Sequence, residues 1–586
     1  MKQYRDIFPA ALMLIVIFSV ISTRAQSPVD ENAAERSNNG SISGRVVNQS
    51  GQPLANVLVT IRSYGAMGPG RTTSTDNGGN FEVTGLTPLA YMVSALLPGY
   101  VTAPRDPDVN PIGYYRVGEA VTLEMLKGGV ITGTVKRNNG EPVVSAVVRA
   151  YMVRDYKGQP ARYGAPVRSN PTDDRGVYRI YGLPSGTYIL AAGGFGFANG
   201  YTIDAYGDNV PTFAPSSTRD NAIEIAVNVG EETANVDIRY RDEPGRTVSG
   251  KVVAGLAADQ PNGINVTLTS ILNGISQLSY STYQAPGSRG FAFSGVADGD
   301  YDVIAQSYLP GGDLLLSEPR RIKVGGADVS GIEVSAKPLA SISGTVVLED
   351  SKAPECQGKR RPVFGETVIS PWHNEKIAAK DEPQFIWGLG GPTFPDQSGR
   401  FTLRNLAAGQ YRFNTRPMAK YWYLKSISWP ASSKLTQAIQ PVDAARNWTT
   451  VRAGDRMSGL TVTLAAGAAS LRGRVEIPDG QKLPSRLFVF LVPAERENSD
   501  SILRYAAILT ADDGSFVFGN LAPGRYWIVA EAAVATDTNM LAKLRLPDEG
   551  DFRARLLHAA QTANVETELK PCQNLTDFHL PFKVGQ

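Results

Sequence analysis

The two side chains best suited to acid–base, nucleophilic and metal chemistry near neutral pH, histidine and cysteine, are scarce in this sequence. They are limited to His373, His558, His579, Cys356 and Cys572 among 586 residues. A hydrolytic zinc site built on a His-x-x-Glu pair needs a spacing that His373 and Glu375 do not have. Neither His-Glu-x-x-His nor Gly-x-Ser-x-Gly occurs. We therefore predict that the protein is not an enzyme and has no catalytic residues, no metal and no cofactor.

The two cysteines, Cys356 and Cys572, are too few for a disulfide-dependent scaffold, so the domains must be stabilised by packing. In an oxidising compartment the two could form a disulfide that pins the C-terminal tail to the fourth domain. Two separate buried thiols are the alternative. The sequence leaves both possibilities open.

Aromatic side chains give the best candidate for a binding site. Of the six tryptophans, five lie between residues 372 and 448. Sugar rings stack on exposed aromatic faces, so this cluster could form a carbohydrate platform. The candidate glycan-binding residues are Trp372, Trp387, Tyr421, Trp422 and Tyr423. The alternative is that a long insertion between Cys356 and Phe394 needs a small core of its own, which the tryptophans supply.

A repeat reveals the elements that would carry such a platform. An apolar-x-Gly-x-Val pattern occurs five times, centred on Gly44, Gly133, Gly250, Gly344 and Gly473. Its period-2 alternation predicts a half-buried strand in each copy. Because the glycine lies on the apolar face, we expect another group, an aromatic ring, to pack close to the backbone there.

A second pattern follows each of these strands: an aromatic residue, a Gly or Asn four positions later, and a Tyr six further on. The five sets are Phe81/Gly85/Tyr91, Tyr178/Gly182/Tyr188, Phe291/Gly295/Tyr301, Phe401/Asn405/Tyr411 and Phe516/Asn520/Tyr526. We expect a strand, a tight turn and a partner strand that opens with the Tyr. Gly or Asn at the middle position predicts a positive φ. The Tyr ring should fill the core while its hydroxyl reaches a backbone group at the domain edge.

An Asp/Gly turn precedes the aromatic residue in four of the copies. The turns begin at Asp76, Asp173, Asp396 and Asp512. Calcium loops place carboxylates at alternate positions, which these turns do not, and the third copy has Pro286-Gly-Ser-Arg289 instead. Since Asp and Gly also serve ordinary hairpin turns, we interpret these segments as turns without metal.

These patterns predict an all-β protein of tandem Ig-like or prealbumin-like Greek-key β-sandwiches, with one short helix near the C-terminus. We expect the helix at 552–561 and two closing strands at 565–569 and 575–580. The predicted segments are a signal peptide at 1–25, a disordered linker at 26–40, and sandwiches at 41–127, 128–242, 243–337, 338–466 with a long Trp-rich insertion, and 467–586 with a helical insertion. Because the junctions are short, we expect a semi-rigid rod on the order of 170 Å long.

The copies resemble a known family. The run Ile-Ser-Gly-Arg-Val-Val from Ile42, the segment Gly51-Gln-Pro-Leu-Ala-Asn-Val57, Thr75-Asp76 and the Gly-Leu-x-Pro…Tyr pattern are similar to the carboxypeptidase regulatory-like domain. The resemblance covers most of 41–586, although the third copy departs at its Asp/Gly turn and the fourth carries the insertion. It implies a prealbumin-like seven-stranded sandwich, related to starch-binding-like folds, that acts as an accessory module without chemistry of its own. Carbohydrate binding is implied only by analogy of fold.

Charge and the N-terminal residues limit the partners. The 58 Lys and Arg residues against 56 Asp and Glu leave no basic excess of the kind that a nucleic-acid-binding surface needs. Lys2 and Arg5, an apolar run to Ile21, and Thr23-Arg-Ala25 predict an export signal. The run is shorter than the roughly 20 residues of a spanning helix. We expect no transmembrane span after signal removal; an uncleaved anchor is the alternative.

The sequence thus predicts a secreted, periplasmic or outer-surface protein made of non-catalytic domains. We favour a structural or adhesive rod. A carbohydrate-binding protein acting through the fourth domain is the alternative, and an enzyme hidden in the insertion ranks last. The expected partners are polysaccharide or envelope proteins, and not nucleic acid.

Overall fold

The structure is a computed structural model that describes residues 40–63, 70–103, 113–156, 158, 160–161, 166–194, 205–254, 263–272, 275–285, 287–309, 311–374, 389–417, 419–431, 440–477, 483–484, 487–511, 513–532 and 550–582. The predicted signal peptide, the predicted linker except Gly40, the candidate Trp387 and the turn residue Asp512 lie outside these residues.

The strands form five successive sandwiches, numbered here from the N-terminus. Sandwich 1 contains β1 Gly40–Asn48, β2 Leu58–Ser63, β3 Arg71–Ser74, β4 Asn80–Leu86, β5 Ala90–Leu96, β6 Tyr100–Thr102, β7 Tyr114–Arg116 and β8 Ala120–Lys127. Sandwich 2 contains β9 Gly129–Lys136, β10 Val147–Arg154, β11 Arg168–Pro171, β12 Val177–Leu183, β13 Gly186–Ala192, β14 Thr212–Phe213, β15 Ile225–Val227, β16 Glu232–Thr233 and β17 Ile238–Arg239. Sandwich 3 contains β18 Arg246–Ala254, β19 Ile264–Leu272, β20 Ile275–Gln284, β21 Gly290–Val296, β22 Gly299–Tyr308, β23 Leu314–Ser317, β24 Arg320–Val324 and β25 Val329–Pro338.

The C-terminal half continues in the same way. Sandwich 4 contains β26 Ala340–Glu349, β27 Thr367–His373, β28 Arg400–Leu406, β29 Gly409–Pro417, β30 Trp422–Trp429, β31 Val442–Asp443, β32 Thr449–Val451 and β33 Arg456–Ala466. Sandwich 5 contains β34 Ala469–Glu476, β35 Leu487–Pro493, β36 Ala506–Leu509, β37 Ser515–Leu521, β38 Gly524–Ala532, α1 Gly550–Ala563, β39 Glu566–Leu569 and β40 Asn574–Pro581. Short 3₁₀ helices lie at Arg219–Asn221, Pro354–Cys356, Phe364–Glu366, Arg496–Asn498 and Ile502–Arg504.

One pairing scheme recurs in all five sandwiches. The first strand pairs antiparallel with the strand that carries the aromatic residue and parallel with a closing strand, as β1 does with β4 and β8. The second layer is a separate sheet, ordered β3-β2-β5-β7 in sandwich 1. Neighbours in the sheets are therefore not neighbours in the chain, as in Greek-key folds. The predicted all-β architecture of tandem sandwiches is confirmed.

The first-strand glycines lie against aromatic rings, as the pattern predicts. A Cβ atom on Gly44 would stand 2.6 Å from Phe81 Cζ and 2.0 Å from the carbonyl oxygen of Val121 in the parallel strand. The equivalent aromatic contacts are Gly133 with Tyr178, Gly250 with Phe291, Gly344 with Phe401 and Gly473 with Phe516. Glycine is needed here because the ring and the partner backbone fill the space that a side chain would take.

The fixed Gly or Asn has a positive φ in every copy, as predicted: 70° at Gly85, 69° at Gly182, 69° at Gly295, 60° at Asn405 and 55° at Asn520. Next to each of them the antiparallel register shifts, which marks a β-bulge. The following Tyr places its hydroxyl on the carbonyl oxygen four residues earlier. The O–O distances are 2.9 Å for Tyr91, 2.8 Å for Tyr188, 2.9 Å for Tyr301, 3.0 Å for Tyr411 and 2.8 Å for Tyr526.

Sandwich 3 departs from the two-sheet arrangement. Its strand β23 pairs with β22 at Gln306–Tyr308 and with β25 at Ala336–Pro338. This one short strand joins both layers into a single eight-stranded sheet. The hydroxyl of Ser317 in β23 is buried and accepts the backbone N–H of Ala305 at 2.8 Å. The third core is thus closed along one edge.

The predicted C-terminal helix and closing strands are confirmed, with α1 starting two residues before the expected position. Phe552, Leu556 and Ala560 of α1 are buried against Phe488 and Phe490 of β35. Because the helix covers one face of β35 and the sandwich core covers the other, every residue of that strand is buried.

Consecutive sandwiches are joined by specific contacts. The side-chain oxygen of Asn405 accepts the backbone N–H of Leu314 at 2.8 Å, and Asn520 Nδ2 donates to the carbonyl oxygens of Ala419 and Trp422 at 2.8 and 2.7 Å. The bulge residues of sandwiches 4 and 5 therefore bind the preceding sandwich. Sandwiches 2 and 3 share part of their cores, because Phe213 of sandwich 2 belongs to the same hydrophobic cluster as the core of sandwich 3.

Sandwich 1 also contacts sandwich 4, from which it is distant in sequence. Ala90 and Val368, both buried, form a small apolar cluster with Tyr114 and Phe394. The rings of Tyr114 and Phe394 meet edge to face with centroids 5.8 Å apart. The expectation of a linear rod is wrong, since a straight array could not bring the first and fourth domains together. The chain instead turns back on itself.

Candidate functional site

The aromatic candidates are divided between the two sheets of sandwich 4. Trp372 lies in β27, in the sheet ordered β27-β29-β32, and 45% of its surface is exposed. Trp422 and Tyr423 begin β30, which belongs to the other sheet, and Tyr421 precedes it. The structure therefore does not bring the four described candidates together on one surface, and Trp387 lies outside the described residues.

Trp422 is a core residue and offers no ring face to a glycan. Only 3% of it is exposed, and its Nε1 donates to the carbonyl oxygen of Arg360 at 3.1 Å. Trp429 is likewise 2% exposed, with Nε1 donating to Thr449 Oγ1 at 3.0 Å. These two rings belong to the main core of sandwich 4, where each fills the interior and satisfies its single N–H.

Tyr421 lies at the junction of sandwiches 4 and 5. Its carbonyl oxygen accepts the backbone N–H groups of Gly467 and Ala468 at 2.8 and 2.9 Å. Asn574 Nδ2 donates to its hydroxyl at 3.3 Å, and Lys359 Nζ stands 4.5 Å from the ring centre. These contacts give Tyr421 a structural role between domains.

The same junction contains the disulfide. Cys356 and Cys572 are bonded, with their Cα atoms 5.5 Å apart and a sequence separation of 216. Cys356 ends a 3₁₀ helix of sandwich 4, and Cys572 lies in the turn between β39 and β40. Of the two possibilities that the sequence left open, the structure contains the one that pins the C-terminal strands to sandwich 4.

Arg412 lies beside both Trp372 and Trp448, a grouping that the aromatic pattern of the sequence did not identify. Arg412 in β29 is paired directly with Trp372 across the strands. The guanidinium carbon of Arg412 stands 4.2 Å from the ring centre of Trp448. We call these three residues, Trp372, Arg412 and Trp448, the aromatic row. The alternation of β29 could have indicated that Arg412 faces outward, because it lies between the buried residues Tyr411 and Phe413.

An amide pair borders the aromatic row. Asn374 Nδ2 donates to Gln410 Oε1 at 3.1 Å, and the backbone N–H of Asn374 donates to the Gln410 carbonyl oxygen at 2.9 Å. An exposed indole, a planar cation and the half-buried amide of Gln410 on one face can stack on a sugar ring and bind its hydroxyls, whereas Asn374 is buried and holds Gln410 in place. Farther along β27, Val368 is covered by sandwich 1. The row is therefore the open part of a partly covered sheet face.

The carboxylates of the Asp/Gly turns accept hydrogen bonds from backbone N–H groups. Asp396 Oδ1 accepts the N–H groups of Ser398 and Arg400 at 2.8 and 3.0 Å. The Ser398 hydroxyl and the Arg400 N–H lower the pKa of Asp396 to about 2. Asp76 and Asp173 accept two backbone N–H groups each in the same way, and their pKa values are lowered. This geometry is that of a hairpin turn.

Metal-binding groups and membrane-spanning helices were sought in the described residues. Within them, no three His, Cys, Asp or Glu side chains are grouped so as to hold a metal ion. Among the same residues, no helix has the length and apolar character needed to cross a membrane.

Comparison with known proteins identifies the first domain. Residues 41–123 match the model of the carboxypeptidase regulatory-like domain, so the resemblance noted in the sequence is confirmed over this segment. No curated protein sequence matches the chain.

Several solved structures are similar to parts of the chain. The TIE protein of Bacillus anthracis has 16% identity, covers 51% of this chain and 51% of its own, and gives a TM-score of 0.14. A streptococcal ancillary pilin has 12% identity, covers 51% of this chain and 99% of its own, with a TM-score of 0.14. A putative polysaccharide-binding protein from Bacteroides thetaiotaomicron has 8% identity and covers 29% of this chain and 76% of its own, with a TM-score of 0.17. Because these TM-scores are low, the function proposed below rests on the chain's own residues.

Proposed function

We propose that this chain is a non-catalytic, exported structural or adhesive protein that binds polysaccharide through the aromatic row of sandwich 4. The observation that carries the proposal is Trp372, an indole with 45% of its surface exposed, directly opposite Arg412. Leaving a large aromatic ring in water forgoes the free energy of burying it, which is recovered when a ligand covers the ring.

The neighbours of Trp372 favour a sugar over an apolar partner. Arg412 and the half-buried side-chain amide of Gln410 present N–H donors and an oxygen acceptor beside the ring. Sugars have apolar C–H faces and hydroxyl edges, so they can use both kinds of surface at once. An apolar protein surface would leave the guanidinium desolvated, which is unfavourable.

Contacts between domains support a scaffold role. Asn405 and Asn520 bind the preceding sandwiches, the disulfide joins sandwiches 4 and 5, and Ala90 packs with Val368. Such contacts reduce domain motion and hold the aromatic row in a fixed position. A fixed binding face on a folded-back array suits adhesion to an envelope or matrix polysaccharide.

The histidines support a role without catalysis. The ring of His373 packs on Tyr411, with centroids 4.8 Å apart. His579 Nδ1 stands 2.6 Å from Glu476 Oε1 on an exposed surface. General acid–base catalysis needs such a pair in a recess, and the exposed surface around His579 and Glu476 does not provide one.

Retention on insoluble polysaccharides tests the proposal. The full chain is compared with Trp372→Ala and with Tyr181→Ala, which removes an exposed ring (50% exposed) from sandwich 2. Loss of one stacking ring should weaken binding about 3- to 10-fold, whereas the control should bind as the wild type does. Equal retention of wild type and Trp372→Ala, with both folded, would refute the proposal.

A further inference from the structure

A recess lies between sandwiches 2 and 3, away from the aromatic row. Its volume is about 580 Å³, within the roughly 300–1,000 Å³ that small-molecule sites occupy. Sandwich 2 contributes Phe213 and residues 218–220, while sandwich 3 contributes Tyr280 and residues 296–301.

The walls of the recess are fixed in place. Phe213 and Ile189 of sandwich 2 pack in one hydrophobic cluster with Val248 and Phe293 of sandwich 3. The backbone N–H of Gly245 donates to the carbonyl oxygen of Asp208 at 2.9 Å at the junction. Because the two domains share a core, the recess is formed before any ligand arrives.

A buried hydroxyl marks the floor. Tyr280 is 1% exposed and lines the recess. The hydroxyl of the neighbouring Tyr301 donates to Ala297 at 2.9 Å. A hydroxyl that lines a recess can both donate a hydrogen bond to a ligand oxygen and accept one from a ligand hydroxyl.

The rim carries balanced charge. Its ionisable side chains are Arg219, Arg241, Arg246, Asp220, Glu243, Asp298 and Asp300. Arg241 bonds Glu243 at 2.8 Å, and Arg246 lies 3.9 Å from Asp298. Asp300 is exposed and makes no ion pair with the described residues. A rim of three cations and four anions gives little preference for a charged ligand, but it offers many hydrogen-bond donors and acceptors.

We propose that this recess is a second binding site, for the end of a neutral oligosaccharide. The sugar's hydroxyls both donate and accept, so they can form hydrogen bonds with the Tyr280 hydroxyl and the Asp300 carboxylate together. The site lies between two domains and does not depend on Trp372. Its existence is therefore independent of the function proposed for the aromatic row.

Binding of soluble neutral oligosaccharides to the full-length Trp372→Ala protein tests this site with the aromatic row disabled. The probes are cello-, malto-, xylo- and manno-oligosaccharides of two to four sugars, measured by saturation-transfer NMR and calorimetry. We expect at least one series to bind. Adding Tyr280→Phe or Asp300→Asn should weaken that binding by about fivefold or more, because each removes a ligand hydrogen bond.

Tyr188→Phe is the matched control, since it removes a tyrosine hydroxyl bonded to Pro184 inside sandwich 2. It should leave oligosaccharide binding unchanged but lower the thermal midpoint, while Tyr280→Phe should leave the midpoint unchanged. Unaltered binding in both Tyr280→Phe and Asp300→Asn would overturn the proposal. So would binding of acidic oligogalacturonates only, or of none of the neutral probes.

Discussion

The Cζ atom of Phe516 lies 2.7 Å from the position that a Cβ atom on Gly473 would take, and the carbonyl oxygen of Phe578 lies 2.4 Å from it. We predict that Gly473→Ala destabilises sandwich 5 by about 2–4 kcal/mol, because a ring and a paired strand must both move. Urea unfolding of the full chain, monitored for the sandwich 5 transition, measures the effect. Gly519→Ala is the control, since nothing lies within 4 Å of its Cβ position. Equal midpoints for the two variants would contradict the prediction.

The tyrosine at the start of the partner strand gives a second prediction. Tyr526 is 1% exposed, and its hydroxyl bonds Ala522. Tyr526→Phe should cost about 1 kcal/mol of stability, because the carbonyl of Ala522 loses its partner. Thermal unfolding checks this value, with Tyr181→Phe on the exposed surface as the control. A change as small as that of the control would show that water replaces the bond.

Acid should weaken the hairpin turn of sandwich 4. The pKa of Asp396 is lowered from 3.8 to about 2 in the folded protein, so its stabilising effect is present above pH 3.8 and is lost as the pH falls through about 2. Asp396→Asn removes the titrating group but keeps an oxygen acceptor. Its stability should therefore fall less steeply than that of the wild type between about pH 4 and pH 2. Parallel slopes in unfolding experiments would rule this out.

The disulfide gives a prediction that needs no mutation. Under denaturing, non-reducing conditions Cys356 and Cys572 should show no titratable thiol, and reduction should release two. Reduction should also destabilise the attachment of the β39–β40 turn by about 2–4 kcal/mol, the usual contribution of a disulfide that closes a long loop. Two reactive thiols before reduction would show that the bond is absent.

The contact between sandwiches 1 and 4 can be opened by charge. Val368 is 1% exposed and packs on Ala90. Val368→Asp should separate the two domains, because a buried carboxylate without a partner is strongly unfavourable. Small-angle X-ray scattering should then show a larger radius of gyration. Val517→Asp, on an exposed site of sandwich 5 (48% exposed), should leave it unchanged. An identical radius for Val368→Asp and wild type would argue against the folded-back arrangement.

Much of the fold could be predicted from the sequence because it depends on local spacing. The distance from Phe401 to Asn405 and on to Tyr411 reports a strand, a bulge and a returning strand, all within one hairpin. The position of the glycine opposite the ring could also be predicted locally, because strand alternation alone places Gly344 on the core face.

Contacts between domains could not be predicted in this way. Ala90 and Val368 look like ordinary strand residues, and nothing in their spacing indicates that they meet. The division of the aromatic candidates has a similar cause, since Trp422 and Trp372 are near in sequence but enter different sheets. Composition can identify a cluster of rings, whereas only the topology decides which rings face water.

The bond between Cys356 and Cys572 also sets how the protein would respond to pulling. Force applied between residues near Gly40 and residues near Pro581 would cross from sandwich 4 to the last strand through the sulfur atoms. The covalent path would bypass the residues between the two cysteines, which include β27 and β29 of the aromatic row, so they would be loaded only through the strand pairing of β26 and β40. Sandwiches 1 to 3 would therefore unfold while the strands of the proposed aromatic-row site remain off the covalent path of the force, whereas the proposed recess between sandwiches 2 and 3 would be lost.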